Sequence, residues 1–505
     1  MTTYFRPEKN GSRSEAALRV LEERYLRKDT DGKVCETPAE MFSRVAVAIA
    51  QAEEKWGYSS DEIQSLAEEF YAMMVSCVFL PNSPTLMNAG TNDGLQYSAC
   101  YVLPVPDSIV GIFDAVKNAA LIHKSGGGTG FSFSQLRPSG SMVRSSGGIA
   151  SGPVSFMKVF DAATEQIKQG GRRRGANMGT LRVDHPDILE FINCKRTGGI
   201  TNFNISVTVT DKFMQALSGD KEYELVAPHT GEVIGSLRAK EVFERIVAAA
   251  WQTGDPGLFF LDRCNAGPAN PTPSLATVEA TNPCGEQPLY PNEACNLGSI
   301  NLLKFVKKQN GEWPIIEPEK AIDWHELERA VRLSVRFLDD VIEVNPYPLP
   351  EIAETVLANR RIGLGVMGWA DMLFALGVPY DSEEALSLAE EVMGFINRIG
   401  HEESRQLAGE RGAFPNFPQS IYADGEPLRN ATVTTIAPTG SLSIIANCSS
   451  GIEPVFALAF RHVAGERHLT LVNSVFEQLA EKHGFGTDEV MAEVGRAGRA
   501  QGIAD

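Results

Sequence analysis

An α/β fold preceded by a block of helices is the architecture this sequence predicts, and three observations carry it. The first eighty residues place apolar side chains at helical spacing behind recognisable N-cap signals. From Leu80 to about residue 460, short β-rich apolar runs alternate with helical segments, the pattern of a largely parallel sheet. No internal repeat or low-complexity linker interrupts that stretch, so the expected division is a helical region over 1–79 and one α/β domain over 80–505.

In chain order, Ser14 to Arg27 repeats Leu18, Val20, Leu21, Tyr25 and Leu26 at roughly helical intervals. Thr37-Pro38-Ala39-Glu40 offers an N-cap hydroxyl, proline at the first helical position and a carboxylate three residues on, opening a helix that runs to about Trp56. A third helix is expected from Ser60 to Val78. The texture then changes at the proline-bearing loop Leu80–Gly90 and the strand-like run Tyr97–Leu103. Further strands are expected at 130–134, 205–209, 299–303, 361–366 and 432–437, and helices at 109–123, 153–168, 186–194, 240–252, 325–343, 384–408 and 469–483.

Composition narrows the function classes. The chain of 505 residues is 43% hydrophobic and 22% charged, which is globular. Its formal charge of −18 argues against nucleic acid as a partner, while local groups such as Arg172-Arg173-Arg174 still suit small phosphorylated ligands. No run of eighteen apolar residues and no basic-then-apolar leader occurs, so no membrane association is expected and the cytoplasm is the expected location. The eight cysteines are scattered without metal-ligand spacing, so no metal site is expected. In a reducing compartment, a cysteine with a role is catalytic or redox-active.

One stretch organises the chemistry. In Thr281-Asn282-Pro283-Cys284-Gly285-Glu286, an extended backbone, favoured by Asn before Pro, would put the amide of Asn282, the thiol of Cys284 and the carboxylate of Glu286 on one surface. Cys295 follows eleven residues after Cys284, far enough for the chain to fold back. The same residues also fit a tight turn with two buried cysteines. Glycine-rich Ser125–Gly130 would let backbone amides approach a phosphate or sugar, or simply turn the chain. Gly170–Gly179, with its three arginines, reads as a cationic loop for an anion or as a solvated basic loop. Pro438-Thr439-Gly440-Ser441-Leu442 places hydroxyls and free amides where a helix begins, suited to phosphate or to plain capping.

Taken together, Asn282–Glu286, Ala294–Asn301, Ser98-Ala99-Cys100, Pro81–Gly90, Ser125–Gly130, Pro438–Ser441 and Cys448–Pro454 resemble the motifs of ribonucleotide reductase, in family order and across nearly the whole chain. Pro283 beside the cysteine, Pro438–Ser441 and Cys448-Ser449-Ser450-Gly451 resemble the adenosylcobalamin-dependent class; the large subunit of the oxygen-dependent class is the alternative. The resemblance implies a ten-stranded α/β barrel with Cys284 on a central finger loop. It implies that Cys284 carries a thiyl radical, that Glu286 is the general base, that Asn282 holds the ribose hydroxyls, and that Cys100 and Cys295 form a redox-active disulfide. Ser83, Ser98, Ala99, Gly128, Pro438, Thr439, Gly440, Ser441 and Leu442 match substrate-contacting positions. Asp107, Arg137, Arg144 and Arg174 match positions holding a deoxynucleoside triphosphate effector, with the 141–151 and 172–180 segments as the reporting loops.

The implied cofactor is adenosylcobalamin, and the implied partners are a ribonucleotide, the effector, an external thioredoxin-like thiol reductant and a second copy in a homodimer. The family's last barrel strands and cysteine tail would lie beyond Asp505, which implies a separate C-terminal chain or an inactive nucleotide-binding fragment in its absence.

Overall fold

A computed structural model describes residues 13–503 apart from 92, 144–146, 170–172, 197, 309–312, 314–317 and 465–466. The N-terminal region is helical because each helix is capped from its own sequence. Helix α1 (Glu15–Val20) is capped by Ser14 and passes into a wider turn over Leu21–Tyr25. Helices α2 (Pro38–Ala50) and α3 (Ser60–Val75) each start with a reciprocal capping box, Thr37 with Glu40 and Ser59 with Glu62. Their apolar faces, including Phe42, Val45, Ile49 and Phe70, are fully buried in one core shared with the sheet.

The sheet has eight strands among the described residues. They are β1 (Phe79–Pro81), β2 (Cys100–Leu103), β3 (Gly128–Ser132), β4 (Asn177–Arg182), β5 (Phe203–Val209), β6 (Gly257–Phe260), β7 (Glu293–Asn301) and β8 (Ile362–Met367). Strands β2 to β6 run parallel in sequence order, joined by crossover segments that include helices α4 (Ile109–Lys124) and α5 (Pro153–Gln166). Strands β2 to β5 are buried along almost their whole length, as parallel strands covered on both faces are, while β6 at the edge is partly exposed.

Strand β7 is the hub. Its Glu293–Cys295 end pairs antiparallel with β2, its Asn296–Asn301 length pairs parallel with β8, and β1 lies antiparallel on Gly298–Ile300. All nine of its residues are buried. Helices α6 (Trp324–Val344) and α7 (Glu383–Arg411) pack beside this part of the sheet, and the short helix α8 (Gly440–Ala446) follows.

The expected elements at 109–123, 153–168, 205–209, 240–252, 325–343, 361–366 and 384–408 are present within a few residues. Two differ. The run 432–437 contributes only one bridge, Thr434 to Leu364, because its backbone touches β8 without forming a ladder. The expected helix at 469–483 starts later, at Ser474, because Arg467–Val472 pairs with Ala459–Ala464 in a hairpin and Asn473 then caps the helix.

Candidate active site

The stretch around Cys284 is a turn, not an extended segment. Ala280–Thr281 pairs antiparallel with Pro288–Leu289, and Gly285 N–H donates to Asn282 O at 3.1 Å, closing a four-residue turn. Pro283 holds the second position with its fixed φ, and Gly285 occupies the last with φ +89°, a conformation that penalises a side chain. The turn, rather than strand alternation, therefore brings Asn282 and Glu286 together. Asn282 Nδ2 donates to Glu286 Oε2 at 2.7 Å, and Asn282 Oδ1 accepts from Gln287 N–H at 3.0 Å. Cys284 stands exposed at the tip.

Asn282 Nδ2 also lies 3.1 Å from Cys100 Sγ, and the Cys100 thiol points at Glu286 Oε1 at 3.8 Å. Register places Cys100 directly opposite Cys295 across the β2–β7 pair. Residues so placed have Cα atoms about 4.5–5.5 Å apart, within the range a disulfide spans. Both thiols are buried in one small apolar cluster with Val102, Ala280, Leu289, Leu297 and Ala437. Burial pushes the Cys295 thiol far above its ordinary range, against the opposing pull of the Arg361 guanidinium.

A cavity of about 390 Å³ joins these groups. Ser83, Ala99, Cys100, Gly128, Asn282, Cys284, Glu286 and the run Pro438 to Leu442 all line it. Thr439 takes a left-handed φ of +52° and its hydroxyl accepts from Gly451 N–H at 2.8 Å, which fixes the bend leading into α8. Ser98 is buried and its hydroxyl accepts from Asn345 Nδ2 at 3.0 Å, so it supports the wall from behind.

The glycine-rich stretch does something other than offering amides. Gly127 N–H donates to Ile122 O and Gly128 N–H to Ala99 O, so both are committed internally. A Cβ on Gly128 would sit 2.8 Å from Pro283 Cγ, and one on Gly130 only 1.8 Å from Thr281 O. These glycines are absent side chains that let the Cys284 turn lie against β3. The N-terminal helical region also reaches the cavity, which the motifs did not indicate: Tyr25 Oη and Ser83 Oγ are 2.8 Å apart, and Arg24 Nη1 donates to Ser441 Oγ at 3.4 Å.

Of the expected effector positions, Asp107 and Arg137 are bonded to each other, with Arg137 Nε 2.9 Å from Asp107 Oδ2. Asp107 also borders a second cavity of about 450 Å³ with Ser132, Ser134 and Arg182. Arg174 belongs to a short ribbon in which Arg173–Arg174 pairs with Lys168–Gln169. Arg144 and Arg172 lie outside the described residues.

Residues 98–505 match the family described as ribonucleotide reductase, barrel domain, and residues 11–94 match ribonucleotide reductase, all-alpha domain. The chain belongs to the ribonucleotide reductase family. Among its relatives, a vitamin B12-dependent ribonucleoside-diphosphate reductase of Thermoplasma acidophilum is 47% identical over 96% of this chain and 69% of its own length. One of the same description from Mycobacterium tuberculosis is 48% identical over 97% of this chain and 69% of its own length. A ribonucleoside-diphosphate reductase large chain of Neurospora crassa is 30% identical over 81% of this chain and 45% of its own.

Proposed function

We propose that this chain reduces ribonucleotides, as diphosphates, to 2′-deoxyribonucleotides by thiyl-radical chemistry dependent on adenosylcobalamin. The observation that carries the reading is the convergence of Asn282, Cys284, Glu286 and Cys100 on one cavity, with Cys295 facing Cys100 across a strand pair. The names of the Thermoplasma and Mycobacterium relatives favour cobalamin over a metal-containing partner subunit. The site suits a bulky cofactor: Cys284 is exposed, and a Cβ on neighbouring Gly285 would meet nothing within 4 Å. One-electron oxidation of the Cys284 thiol is the chemistry that bound adenosylcobalamin supplies.

Oxidised Cys284 takes the 3′ hydrogen atom of the ribose, and Glu286 takes the proton of the 3′ hydroxyl. Asn282 holds Glu286 and Cys100 in register and bonds the ribose hydroxyls. Cys100 protonates the departing 2′ hydroxyl, which leaves as water, and Cys100 with Cys295 supplies two electrons and the second thiol hydrogen, which bonds to C2′, and closes to a disulfide. The 3′ hydrogen then returns from Cys284. The amides of Gly440, Ser441 and Leu442 receive phosphate at the start of α8, beside Ser83 and Ala99. The cavity wall limits water at the substrate radical.

Asp107 and Arg137, with Arg144 and Arg174, hold a deoxynucleoside triphosphate effector. A homodimer is supported by the apolar side chains Ile109, Val110 and Phe113, exposed along α4, and by exposed Met142 and Ile149, which pair with each other in a two-stranded ribbon. A thioredoxin-like dithiol resets the disulfide, in keeping with a cytoplasmic setting. Among the described residues, no helix is long and apolar enough to cross a membrane.

The test is a single turnover of prereduced protein followed by alkylation and peptide mapping. Cys100 and Cys295 become resistant to alkylation in the wild type, and Cys284→Ala forms no deoxynucleotide and leaves both alkylatable. Deoxynucleotide formation with both thiols still free would overturn the assignment.

A further inference from the structure

Of the two nearly buried cysteines that form the disulfide, only Cys100 borders the cavity. Cys100 lines the cavity, whereas Cys295 is 1% exposed and is absent from the lining. An incoming thiolate therefore meets Cys100 Sγ, and the sulfur expelled is that of Cys295. That sulfur must accept negative charge in an apolar cluster, close to the carboxylates of Glu293 and Glu286, which both oppose it. Such a leaving group is poor unless a cation supports it.

The cation present is Arg361, immediately before β8, where the pairing of Asn296 with Ile362 sets it beside Cys295. Its side chain is almost wholly buried. Nε lies 2.9 Å from Glu293 Oε2 and Nη1 donates to Ala269 O at 3.0 Å, while the guanidinium stacks 4.8 Å from the centre of the Tyr290 ring. Nη2 is buried with no hydrogen-bond partner among the described residues, an expensive arrangement for a guanidinium. The Cys295 sulfur meanwhile lies 3.5 Å from Asn296 O and 3.8 Å from the Arg361 backbone carbonyl.

We propose that Arg361 is a positioning residue for reopening the Cys100–Cys295 disulfide, its unpartnered Nη2 supporting the Cys295 thiolate as it leaves. The inference rests on the redox-pair reading above. In the step, a thiolate of the external dithiol bonds to Cys100 Sγ, the Cys100–Cys295 bond breaks, and its electron pair stays on Cys295 Sγ beside Arg361. The reductant's second thiol, deprotonated, then attacks the mixed disulfide and frees Cys100. Cys100 and Cys295 each take up a proton, and the reductant leaves as its own disulfide. Glu293 tempers the guanidinium, so removing Glu293 and removing Arg361 have opposite effects, which a loss of packing alone would not give.

The experiment oxidises the full chain by one turnover, then follows reopening by dithiothreitol through quenched alkylation and mapping of Cys100 and Cys295. Arg361→Gln is expected to reopen about tenfold or more slowly, Arg361→Lys within about threefold of wild type, and Glu293→Gln faster than wild type. Wild-type speed in Arg361→Gln, or slowing of Glu293→Gln to match it, would overturn the role of Arg361. If Arg361→Gln does not fold, Glu293→Gln decides alone: faster supports the proposal, unchanged or slower defeats it. A wild-type turnover that leaves no Cys100–Cys295 disulfide would instead defeat the redox-pair reading.

Discussion

Asn282 does more than its place in a motif indicates. One side-chain amide bridges a carboxylate and a thiol from two different strands' neighbourhoods, so the proposed acid–base group and the proposed proton donor share one reference point. His123 underlies the same wall: its Nε2 is 2.9 Å from Thr129 Oγ1, which donates in turn to Asn177 Oδ1. Burial holds the imidazole down at about 4 from its usual 6.5. The folded protein thus binds fewer protons than the unfolded chain between those values. Its stabilising effect is complete above pH 6.5 and is lost as pH falls towards 4, by on the order of 3 kcal/mol. Urea midpoints at pH 7 and pH 4.5 test this: His123→Gln is expected to lose part of the acid-induced drop, and an unchanged drop would contradict the assignment.

The Cys284 turn shows which parts of the site the sequence makes legible. The residue types and their order were readable because chemistry constrains them, and the capped helices because each signal lies within four residues of its target. The sequence left the stretch open between an extended segment, which Asn-Pro favours locally, and a tight turn; the hairpin closed by Thr281 and Pro288 decides for the turn. The glycines at 125–130 fitted either a phosphate or sugar approach or a plain turn; which backbone faces a missing side chain is a tertiary fact. Gly130→Ala tests the structural role. Its Cβ would overlap Thr281 O, so the turn must move, and activity is expected to fall at least about a hundredfold while circular dichroism stays native. Near-normal turnover would show that the turn tolerates displacement.

Across the molecule, a buried ion network ties the helical region to the sheet. Arg411 reaches Glu53 at 2.5 Å and Asp339 and Asp340 at 2.8 Å, and it lies 4.2 Å over the Trp56 ring. Arg336 shares Glu53, while Arg360 and Arg429 share Asp339 and Glu343. Nothing in the sequence pairs residues so far apart. Arg411→Met leaves three buried carboxylates short of a counter-charge and is expected to cost about 3–5 kcal/mol, read as a lowered thermal midpoint; a change under about 1 kcal/mol would show that the network contributes little. The most direct test of the whole account is anaerobic deoxynucleotide formation by the purified chain, with a ribonucleoside diphosphate, effector and dithiothreitol, with and without adenosylcobalamin. The account predicts product only with the cobalamin and none from Cys284→Ala; product formed without cobalamin, or formed by Cys284→Ala, would contradict it.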